Sequence, residues 1–306
     1  MNEIDACFLK VKKDYLRLLS KEKILTKSKK EKIFNLKKNY IPMSLWIEKK
    51  YQEKGKTLFL GLSGGQGSGK TTVAGTLKII LKKFFKRQIH ISSIDDFYKT
   101  SIERNKMSFN IHPLFKTRGV PGTHDINYIK NFFNLIRKKN FQIIKLPKFD
   151  KANDNRYKKK HWFNVKKKPE IVILEGWCVG AKPQKNFLMK KPINDLEKNE
   201  DKNLKWRKYV NERLKNEYKK LFAMIDDLIF IKIPNFDVVL KWRFLQEKKL
   251  RKKYSFKKKI MARDEVKRFI MFYQRITLQM IQDLSKSASI IMILKKNHEI
   301  KKILYR

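Results

Sequence analysis

Cysteine is nearly absent from this sequence. Its 306 residues include two cysteines, Cys7 and Cys178, which lie far apart and do not show the spacing of a metal site. Two isolated thiols argue against a disulfide-stabilised scaffold and are typical of a protein that folds in a reducing compartment.

The sequence also lacks a long apolar run. The longest apolar stretches, such as residues 290–294, are far too short to cross a bilayer. The first 15 residues contain early acidic side chains and no apolar core of a secretory signal. We therefore expect a cytoplasmic protein without a membrane partner.

Acidic residues are few beside the basic ones. Lysine and arginine total 75 against 29 aspartates and glutamates, a net charge of +46, which raises the possibility of a nucleic-acid partner. The basic residues are 61 lysines and only 14 arginines, however, and arginine is the side chain that usually grips bases and phosphates. Because the lysines are spread along nearly every surface segment, we expect no specific nucleic-acid partner, although the positive surface should attract anionic substrates.

From residue 57 onward, short apolar segments alternate with segments of helical periodicity. Buried strands are predicted at residues 57–62, 89–94, 170–174, 228–233 and 289–294, and residues 141–146 are predicted to be extended. Helices are predicted at residues 71–85, 125–138, 206–225 and 236–280. This alternation predicts an α/β fold, with a mostly parallel central sheet covered by helices on both faces.

The chain divides into two predicted units. Residues 1–50 form an N-terminal helical extension of two or three amphipathic helices, and residues 51–306 form the α/β domain. Within that domain, the polar segment at residues 182–204 predicts a loop, and we place an insertion at residues 181–226.

The strongest motif is a phosphate-binding loop of the pattern G-x-x-x-x-G-K-[ST], formed by Gly64, Gly65, Gln66, Gly67, Ser68, Gly69, Lys70 and Thr71. In this motif backbone amides converge on phosphate oxygens, the lysine reaches the β- and γ-phosphates, and the hydroxyl binds Mg²⁺. A glycine-rich turn without a ligand is the alternative. Because a predicted strand precedes the motif and a predicted helix follows it, we predict that residues 64–72, including Thr72, bind ATP. Lys70 is then catalytic, and Thr71 binds the metal.

Carboxylates follow two of the predicted strands. Asp95 and Asp96 come directly after the strand at 89–94, and Glu175 ends the strand at 170–174. Ligands of open α/β sheets bind at the carboxyl ends of the strands, and a kinase needs carboxylates for its metal and for the accepting hydroxyl. We predict that Glu175 lies beside the metal. Each carboxylate could instead cap a helix or turn, an alternative that applies most to Asp96.

The segment SIDDFY, residues 93–98, resembles a segment of phosphoribulokinase, uridine kinase and pantothenate kinase. These enzymes carry a similar Asp-x-Phe sequence after their second strand. The resemblance implies that Asp95 lies beside the acceptor hydroxyl as the general base, and that Phe97 and Tyr98 line the substrate pocket.

Further segments resemble the D-glycerate 3-kinase branch of this P-loop superfamily. RGVPGTHD at 118–125, LPKFDKANDNR at 146–156 and ILEGWCVG at 173–180 are similar to its signatures, and the resemblance covers about residues 40–300. It implies an ATP-dependent kinase that phosphorylates a small-molecule hydroxyl, D-glycerate being favoured. A uridine, pantothenate or ribulose-phosphate kinase is the nearest alternative. A nucleic-acid-binding NTPase and a regulatory protein that has lost activity are alternatives of other classes.

The same segments contain charged groups that suit a hydroxy-acid substrate. A carboxylate needs a guanidinium or ammonium partner, and a hydroxyl needs an acid to orient it. With Tyr98, the predicted substrate residues are Arg118, His124, Asp125, Lys148, Asp150 and Arg156. In a chain so rich in lysine, Lys148 can equally be a surface residue. The loop at 152–155 is shorter and less glycine-rich than in the family, which leaves the substrate's identity open.

The helices predicted at 236–280 resemble a lid in the same family. The resemblance suggests that Arg243 or Arg251 closes over the phosphates. A surface position at a helix end is the alternative for both arginines.

Overall fold

The computed structural model describes residues 2–22, 28–253 and 261–306, but not the side chains of 246 and 248–253. The strands are β1 (Leu58–Gly64), β2 (Ile89–Ser93), β3 (Ile144–Leu146), β4 (Phe149–Asp150), β5 (Asn155–Arg156), β6 (Phe163–Val165), β7 (Ile171–Gly176), β8 (Asp227–Lys232), β9 (Ile290–Leu294) and β10 (Ile300–Tyr305).

The α-helices of the described residues surround these strands. They are α1 (Glu3–Lys21), α2 (Lys29–Asn35), α3 (Ile41–Lys54), α4 (Lys70–Lys83), α5 (Ser101–Asn110), α6 (Ile126–Arg137), α7 (Asn186–Lys190), α8 (Asp195–Glu200), α9 (Lys205–Arg213), α10 (Lys219–Phe222), α11 (Asp237–Lys253) and α12 (Arg263–Ser287). Single π-helical turns at Leu36–Tyr40 and Leu214–Tyr218 join α2 to α3 and α9 to α10.

The central sheet has the strand order β10-β9-β8-β1-β7-β2. Every pairing is parallel except that of the edge strand β10 with β9. All residues of β1 and β7 are buried, as expected for central strands covered on both faces. The predicted α/β fold with a mostly parallel sheet is therefore confirmed.

The two faces of the sheet carry separate apolar cores because side chains alternate along a strand. On β7, Ile171 and Ile173 point into the core beneath α1, α3 and α4. Val172 and Leu174 point into the core that contains α6 and α12. Each face is thus sealed by helices, and the ends of the strands are left to form a site.

The N-terminal helices pack directly on the first of these cores. Cys7, Val11 and Tyr15 of α1 are buried in the same cluster as Leu77 of α4. A methyl group on Gly75 would lie 3.2 Å from Leu18, so glycine lets α1 approach α4 closely. The predicted boundary near residue 50 stays a prediction, but the helices before it cover one face of the sheet.

Several local predictions need correction. Residues 144–146 of the extended segment do not join the main sheet but pair antiparallel with β6. The polar segment at 182–204 contains the short helices α7 and α8 instead of a plain loop. The strand β10 was not predicted at all. Its pattern is weak because isoleucine and lysine alternate irregularly on an edge that is partly exposed.

The helices predicted at 206–225 and 236–280 are present with shifted bounds. A π-helical turn interrupts the first at residues 214–218. The second region contains α11 and α12, between which residues 254–260 lie outside the described part of the chain. In the part of the chain that the structure describes, no helix combines the length and apolarity required to cross a bilayer.

Candidate active site

The phosphate loop lies where β1 ends and α4 begins. Gly67 and Gly69 have φ angles of 76° and 88°, a left-handed conformation that glycine adopts without strain. At Gly64 an added Cβ would come within 2.8 Å of the Ser68 hydroxyl and 2.9 Å of Ile231. A side chain at Gly64 would therefore collide with the loop, whereas Gly67 and Gly69 are required for their backbone conformation.

Two hydroxyls of this region are buried without a hydrogen-bond partner among the described residues. They belong to Ser63, at the end of β1, and Ser68, within the loop. Buried polar atoms are normally satisfied, so their unmet hydrogen bonds fit a polar ligand. Phosphate oxygens, received by loop amides at the amino end of α4, are ligands of the required chemistry.

Lys70 folds back over the loop that it follows. Its Nζ donates to the carbonyl oxygens of Gly64 and Gly65 at 2.9 and 3.1 Å. Burial lowers the pKa of Lys70, and the charges of Glu175 and Asp95 oppose that effect. The ammonium is thus held between the loop and the two predicted carboxylates.

Glu175 and Asp95 are neighbours because their strands pair in register. Ser93 of β2 lies opposite Glu175 of β7, which itself lies opposite Leu62 of β1. Burial raises the pKa of Glu175 above its ordinary value, and the positive charge of Lys70 opposes this only in part. The sheet therefore brings the ends of β1, β7 and β2 together, and with them the loop, Glu175 and Asp95.

Thr71 and Glu175 suit the magnesium ion that was predicted here. The Thr71 side chain is exposed at the first turn of α4, and Glu175 is only 9% exposed. Both offer hard oxygen ligands, and Mg²⁺ commonly takes one or two of these from the protein and the rest from phosphates and water. In the described part of the chain no group of three or more metal-ligating side chains exists, so these residues would share the ion with a nucleotide.

Asp95 lies at the centre of a small polar network. It accepts a hydrogen bond from the Tyr98 hydroxyl at 2.8 Å and pairs with Lys151 Nζ at 2.6 Å. Burial alone would raise the pKa of Asp95, but Lys151 and Tyr98 outweigh it and lower the pKa to about 2. Asp95 is therefore ionised at neutral pH, and its side chain is 25% exposed to the site.

Asp96 points the other way and ties two elements together. Its Oδ1 accepts the backbone N–H of Phe149 at 3.2 Å, and burial raises its pKa. This contact supports the structural alternative for Asp96, which holds β4 against the turn after β2.

The loop at 118–125 is shaped by aromatic side chains from three distant segments. Trp177 donates to the Gly119 carbonyl at 2.9 Å, and the Tyr273 hydroxyl donates to the Arg118 carbonyl at 3.2 Å. Gly119 has a φ of 133° and touches Tyr273 so closely that no Cβ would fit. The Tyr218 hydroxyl accepts the N–H of Gly122 at 3.0 Å. Sequence analysis missed all three aromatic side chains as parts of the site because each also looks like an ordinary core residue.

These contacts favour one tautomer of His124. The Tyr218 oxygen accepts from Gly122 and lies 2.6 Å from His124 Nδ1, so we assign the Tyr218 proton to that hydrogen bond. Burial lowers the pKa of His124 to about 4, so the ring is neutral, and this assignment places its proton on Nε2. That N–H has no partner among the described residues. The ring also stacks on Tyr98, with centroids 4.6 Å apart.

Arg156 and Asp125 lie on the far side of Tyr98. Arg156 donates to the Tyr98 carbonyl at 2.8 Å and lies 3.7 Å from an Asp125 oxygen. Asp125 also caps α6 by accepting the N–H of Tyr128. Both residues are close to the predicted pocket, and their contacts here hold its wall.

The remaining predicted substrate residues lie on the hairpin that carries Lys151. Asp150 accepts the amides of Ala152 and Asn153 in the hairpin turn, and Lys148 lies over the ring of Tyr157 at 5.2 Å. Neither contacts Asp95, so their substrate roles stay predictions.

Arg118 is joined to the same hairpin through Asp154. It pairs with Asp154 Oδ1 and lies over the ring of Phe149 at 5.4 Å. Arg104, fully buried, donates to the carbonyl and to the carboxylate of Asp154. Two arginines therefore anchor the turn at residues 152–155.

The predicted lid arginines differ in what can be described. Arg243 of α11 pairs with Glu247 at 2.6 Å and lies over the ring of Phe269 at 5.3 Å. Arg251 is also part of α11, but its side chain lies outside the described residues. A contact of either with phosphate stays a prediction.

Sequence relatives of this chain are kinases. The uncharacterized kinase mug58 of Schizosaccharomyces pombe is 30% identical over 236 residues, which are 74% of this chain and 82% of mug58. The probable ATP-dependent kinase TDA10 of Saccharomyces cerevisiae is 29% identical over 245 residues, 76% of this chain and 81% of TDA10. Chloroplastic D-glycerate 3-kinase of Arabidopsis thaliana is 28% identical over 226 residues, 68% of this chain and 47% of that protein.

The fold has a similar solved counterpart. A structure of D-glycerate 3-kinase from Cryptococcus neoformans matches with a TM-score of 0.73 and 22% identity, covering 87% of this chain and 99% of that one. No protein-family model matches the sequence.

Proposed function

This chain belongs to the family of ATP-dependent P-loop kinases that includes D-glycerate 3-kinase, and we propose that it phosphorylates a hydroxyl of D-glycerate. The pair formed by Asp95 and Lys151 beside the phosphate loop is the observation that carries this proposal. A hydroxy acid needs an anion to orient its hydroxyl and a cation to hold its carboxylate, and this pair offers both.

Residues 64–72 hold the phosphates of ATP in this proposal. Loop amides bind the phosphate oxygens, and Lys70 leaves its two carbonyl partners to contact the β- and γ-phosphates. Thr71 and Glu175 hold Mg²⁺, which supplies positive charge to the phosphate oxygens when bound. The excess of basic residues across the surface draws in both anionic substrates.

Phosphoryl transfer joins the acceptor oxygen to the γ-phosphorus and breaks the bond between that phosphorus and the oxygen bridging it to the β-phosphate. The acceptor hydroxyl donates its hydrogen bond to Asp95 and loses its proton as the new bond forms. A carboxylate whose pKa is about 2 is a weak base. Asp95 therefore acts mainly by orienting the hydroxyl, and it accepts the proton late in a loose transition state.

Cations of the 118–156 region hold the substrate carboxylate. Lys151 is 61% exposed and can turn from Asp95 toward a substrate anion. Arg118 is joined to the same hairpin through Asp154, and Nε2 of His124, close to Tyr98, supplies a neutral donor. Tyr98 and Arg156 shape the wall of this pocket.

A panel of acceptors tests the choice of substrate. ADP release is measured with D-glycerate, uridine, pantothenate and ribulose 5-phosphate, each with ATP and Mg²⁺. We expect kcat/KM for D-glycerate to exceed the others by about 100-fold or more, because an acceptor without a carboxylate near its hydroxyl leaves Lys151 or Asp95 without a partner. Preference for another acceptor would leave the assignment as a kinase standing and would reject D-glycerate as the substrate. Hydrolysis that DNA or RNA stimulates would instead favour a nucleic-acid-dependent NTPase, against the predicted absence of such a partner.

The variant Lys70→Ala tests the use of the phosphate loop. We expect turnover to fall by about 10³-fold or more, because the only ammonium contacting the transferring phosphate in this proposal is lost. The thermal midpoint should change little. Lys78→Ala, at an exposed lysine on the same helix, is the matched control. Normal turnover in Lys70→Ala would remove the loop from the mechanism.

The cytoplasmic location expected from the sequence stays a prediction.

A further inference from the structure

Tyr218 lies at the end of the π-helical turn Leu214–Tyr218, between α9 and α10. Its side chain is completely buried. Single π-helical turns within α-helices are frequent at functional sites. A phenylalanine would pack the same core without a polar group to satisfy, so the hydroxyl that this turn carries into the interior indicates a specific role.

The Tyr218 hydroxyl makes its hydrogen bonds with one distant segment, the loop at 118–125. It accepts the N–H of Gly122 at 3.0 Å and lies 2.6 Å from His124 Nδ1. Burial raises the pKa of Tyr218, so the hydroxyl keeps its proton at neutral pH and can donate it to Nδ1. The Nδ1 atom of His124 is therefore engaged as an acceptor.

The other ring nitrogen of His124 is buried close to the acceptor site and has no partner in the part of the chain that the structure describes. The ring stacks on Tyr98, whose hydroxyl donates to Asp95 at 2.8 Å. Burial lowers the pKa of His124 to about 4, and the charge of Asp95 opposes that effect, so the ring lies within electrostatic reach of this carboxylate. Because buried polar atoms are normally satisfied, the unmet hydrogen bond at Nε2 fits a polar group that arrives with the acceptor.

The tautomer of His124 controls which polar group this nitrogen can take. With its proton on Nε2, the ring donates to a carboxylate oxygen. With its proton on Nδ1, the ring presents a lone pair at Nε2, which repels a carboxylate. The hydrogen bond made by one ring nitrogen selects the tautomer, so the partner at Nδ1 sets the chemistry at Nε2.

We infer that Tyr218 is a positioning residue for the acceptor: its hydroxyl holds His124 in the form that donates from Nε2 to the acceptor's carboxylate. Tyr218 does not itself touch the substrate, but acts through His124. This inference rests on the proposed function, because the carboxylate is that of the proposed hydroxy acid. It adds that the π-helical turn, far from the phosphate loop in sequence, contributes to the selection of a carboxylate-bearing acceptor.

The first test measures selectivity in Tyr218→Phe. Glycerol has the hydroxyls of D-glycerate but no carboxylate. We expect the ratio of kcat/KM for D-glycerate to kcat/KM for glycerol to fall by about tenfold, mainly through a higher KM for D-glycerate. The control is Tyr209→Phe, which removes a hydroxyl from a ring of α9 that also contacts Gly122. It should leave the ratio unchanged. An unchanged ratio in Tyr218→Phe would overturn the inference.

A double-mutant cycle separates this role from a merely structural one. His124→Gln places an amide N–H₂ group close to the position of Nε2, and that donor does not depend on Tyr218. We expect Tyr218→Phe to cost about tenfold in kcat/KM for D-glycerate when His124 is present, but less than about twofold beside His124→Gln. A hydroxyl that only stabilises the fold would cost the same in both backgrounds, and that result would contradict the positioning role.

Nitrogen NMR of histidine-labelled chains observes the tautomer without any substrate, and His124→Gln identifies the signals of His124. We expect a protonated Nε2 and an unprotonated Nδ1 in wild type, and a mixture of both tautomers in Tyr218→Phe. A proton on Nδ1 in wild type, or the same tautomer in both chains, would overturn the inference. Failure of wild type to phosphorylate D-glycerate would instead refute the proposed acceptor, and the NMR signals would still decide whether Tyr218 sets the tautomer.

Discussion

Two groups of charged residues in this protein use the same chemistry for different ends. In the segment that follows β7, Arg207 pairs with Glu197 at 3.2 Å and Asp201 at 2.8 Å, and these three side chains are 2%, 1% and 0% exposed. At the candidate site, Asp95 pairs with Lys151, and these side chains are 25% and 61% exposed.

The difference lies in how fully each charge is satisfied. Asp201 also accepts the backbone amides of Trp206 and Arg207, and Arg275 pairs with Glu197 from α12. That network is closed and buried, so it holds α8, α9 and α12 together. The pair at the site has one exposed partner and room for another ligand. A charged cluster is therefore a candidate for function when it is only partly satisfied, and a structural element when every charge is paired out of water.

The largest expected effect on stability comes from breaking the closed network. Arg207→Met leaves two buried carboxylates short of their shared cation, which should cost about 3–5 kcal/mol of unfolding free energy. Urea denaturation measures this loss. The matched control is Arg268→Met, which removes an arginine paired with Glu200 at the surface, where both side chains are 40% exposed or more. The control should cost at most about 1 kcal/mol. Equal losses of unfolding free energy in the two variants would show that burial and full pairing do not make this charged network more important for stability than a surface pair.

Asp95→Asn should show the opposite pattern. It keeps the shape of the side chain but removes the anion that orients the acceptor, so we expect transfer to fall by about 10²–10³-fold. ATP binding should change little, and the denaturation midpoint at neutral pH should fall by less than in Arg207→Met, because only the favourable ionisation of Asp95 is lost. The control is Asp96→Asn, since an asparagine oxygen can still accept the N–H of Phe149. Transfer is measured with the favoured acceptor, and activity retained by Asp95→Asn would contradict the assigned role.

Lys151→Gln is expected to have the smallest effect, visible mainly in the pH profile. Without Lys151, burial raises the pKa of Asp95 from about 2 toward or above its ordinary 3.8. Because the ionised form is the active one, the acid limb of the kcat/KM profile should move to higher pH. At neutral pH we expect a loss of about tenfold, through weaker binding of the substrate carboxylate. An unmoved acid limb would show that Lys151 does not control Asp95. Lys158→Gln, at an exposed lysine nearby, is the control.

The same pair has a consequence for stability. The pKa of Asp95 is lower in the folded chain than its ordinary value, so its ionisation stabilises the fold above pH 4, and this contribution is lost as pH falls through about 2. In Lys151→Gln the pKa of Asp95 returns toward or above its ordinary value, so most of this contribution should be absent at neutral pH, whereas the wild-type chain keeps it through mildly acidic conditions.

Local motifs could be predicted because their geometry is local. The phosphate loop needs glycines at fixed positions, and the burial of β1 and β7 follows from their continuous apolar sequence. Asp95 and Glu175 follow strands, and parallel strands bring their carboxyl ends to one edge. The pairing of Asp95 with Lys151 could not be predicted, because 56 positions separate the two residues and the sequence offers 61 lysines as possible partners for Asp95.

The sequence by itself determined the parallel strands of the central sheet, the nucleotide loop and the kinase family, since these depend on neighbouring residues and on side-chain periodicity. Only the tertiary structure decided that Trp177, Tyr218 and Tyr273 clamp the loop at 118–125, and that α1 borders a cavity beside Thr72. Such contacts join segments up to 155 positions apart. They exist because helices pack on both faces of one sheet, and a buried tyrosine or leucine carries no local signal of the partner it will meet there.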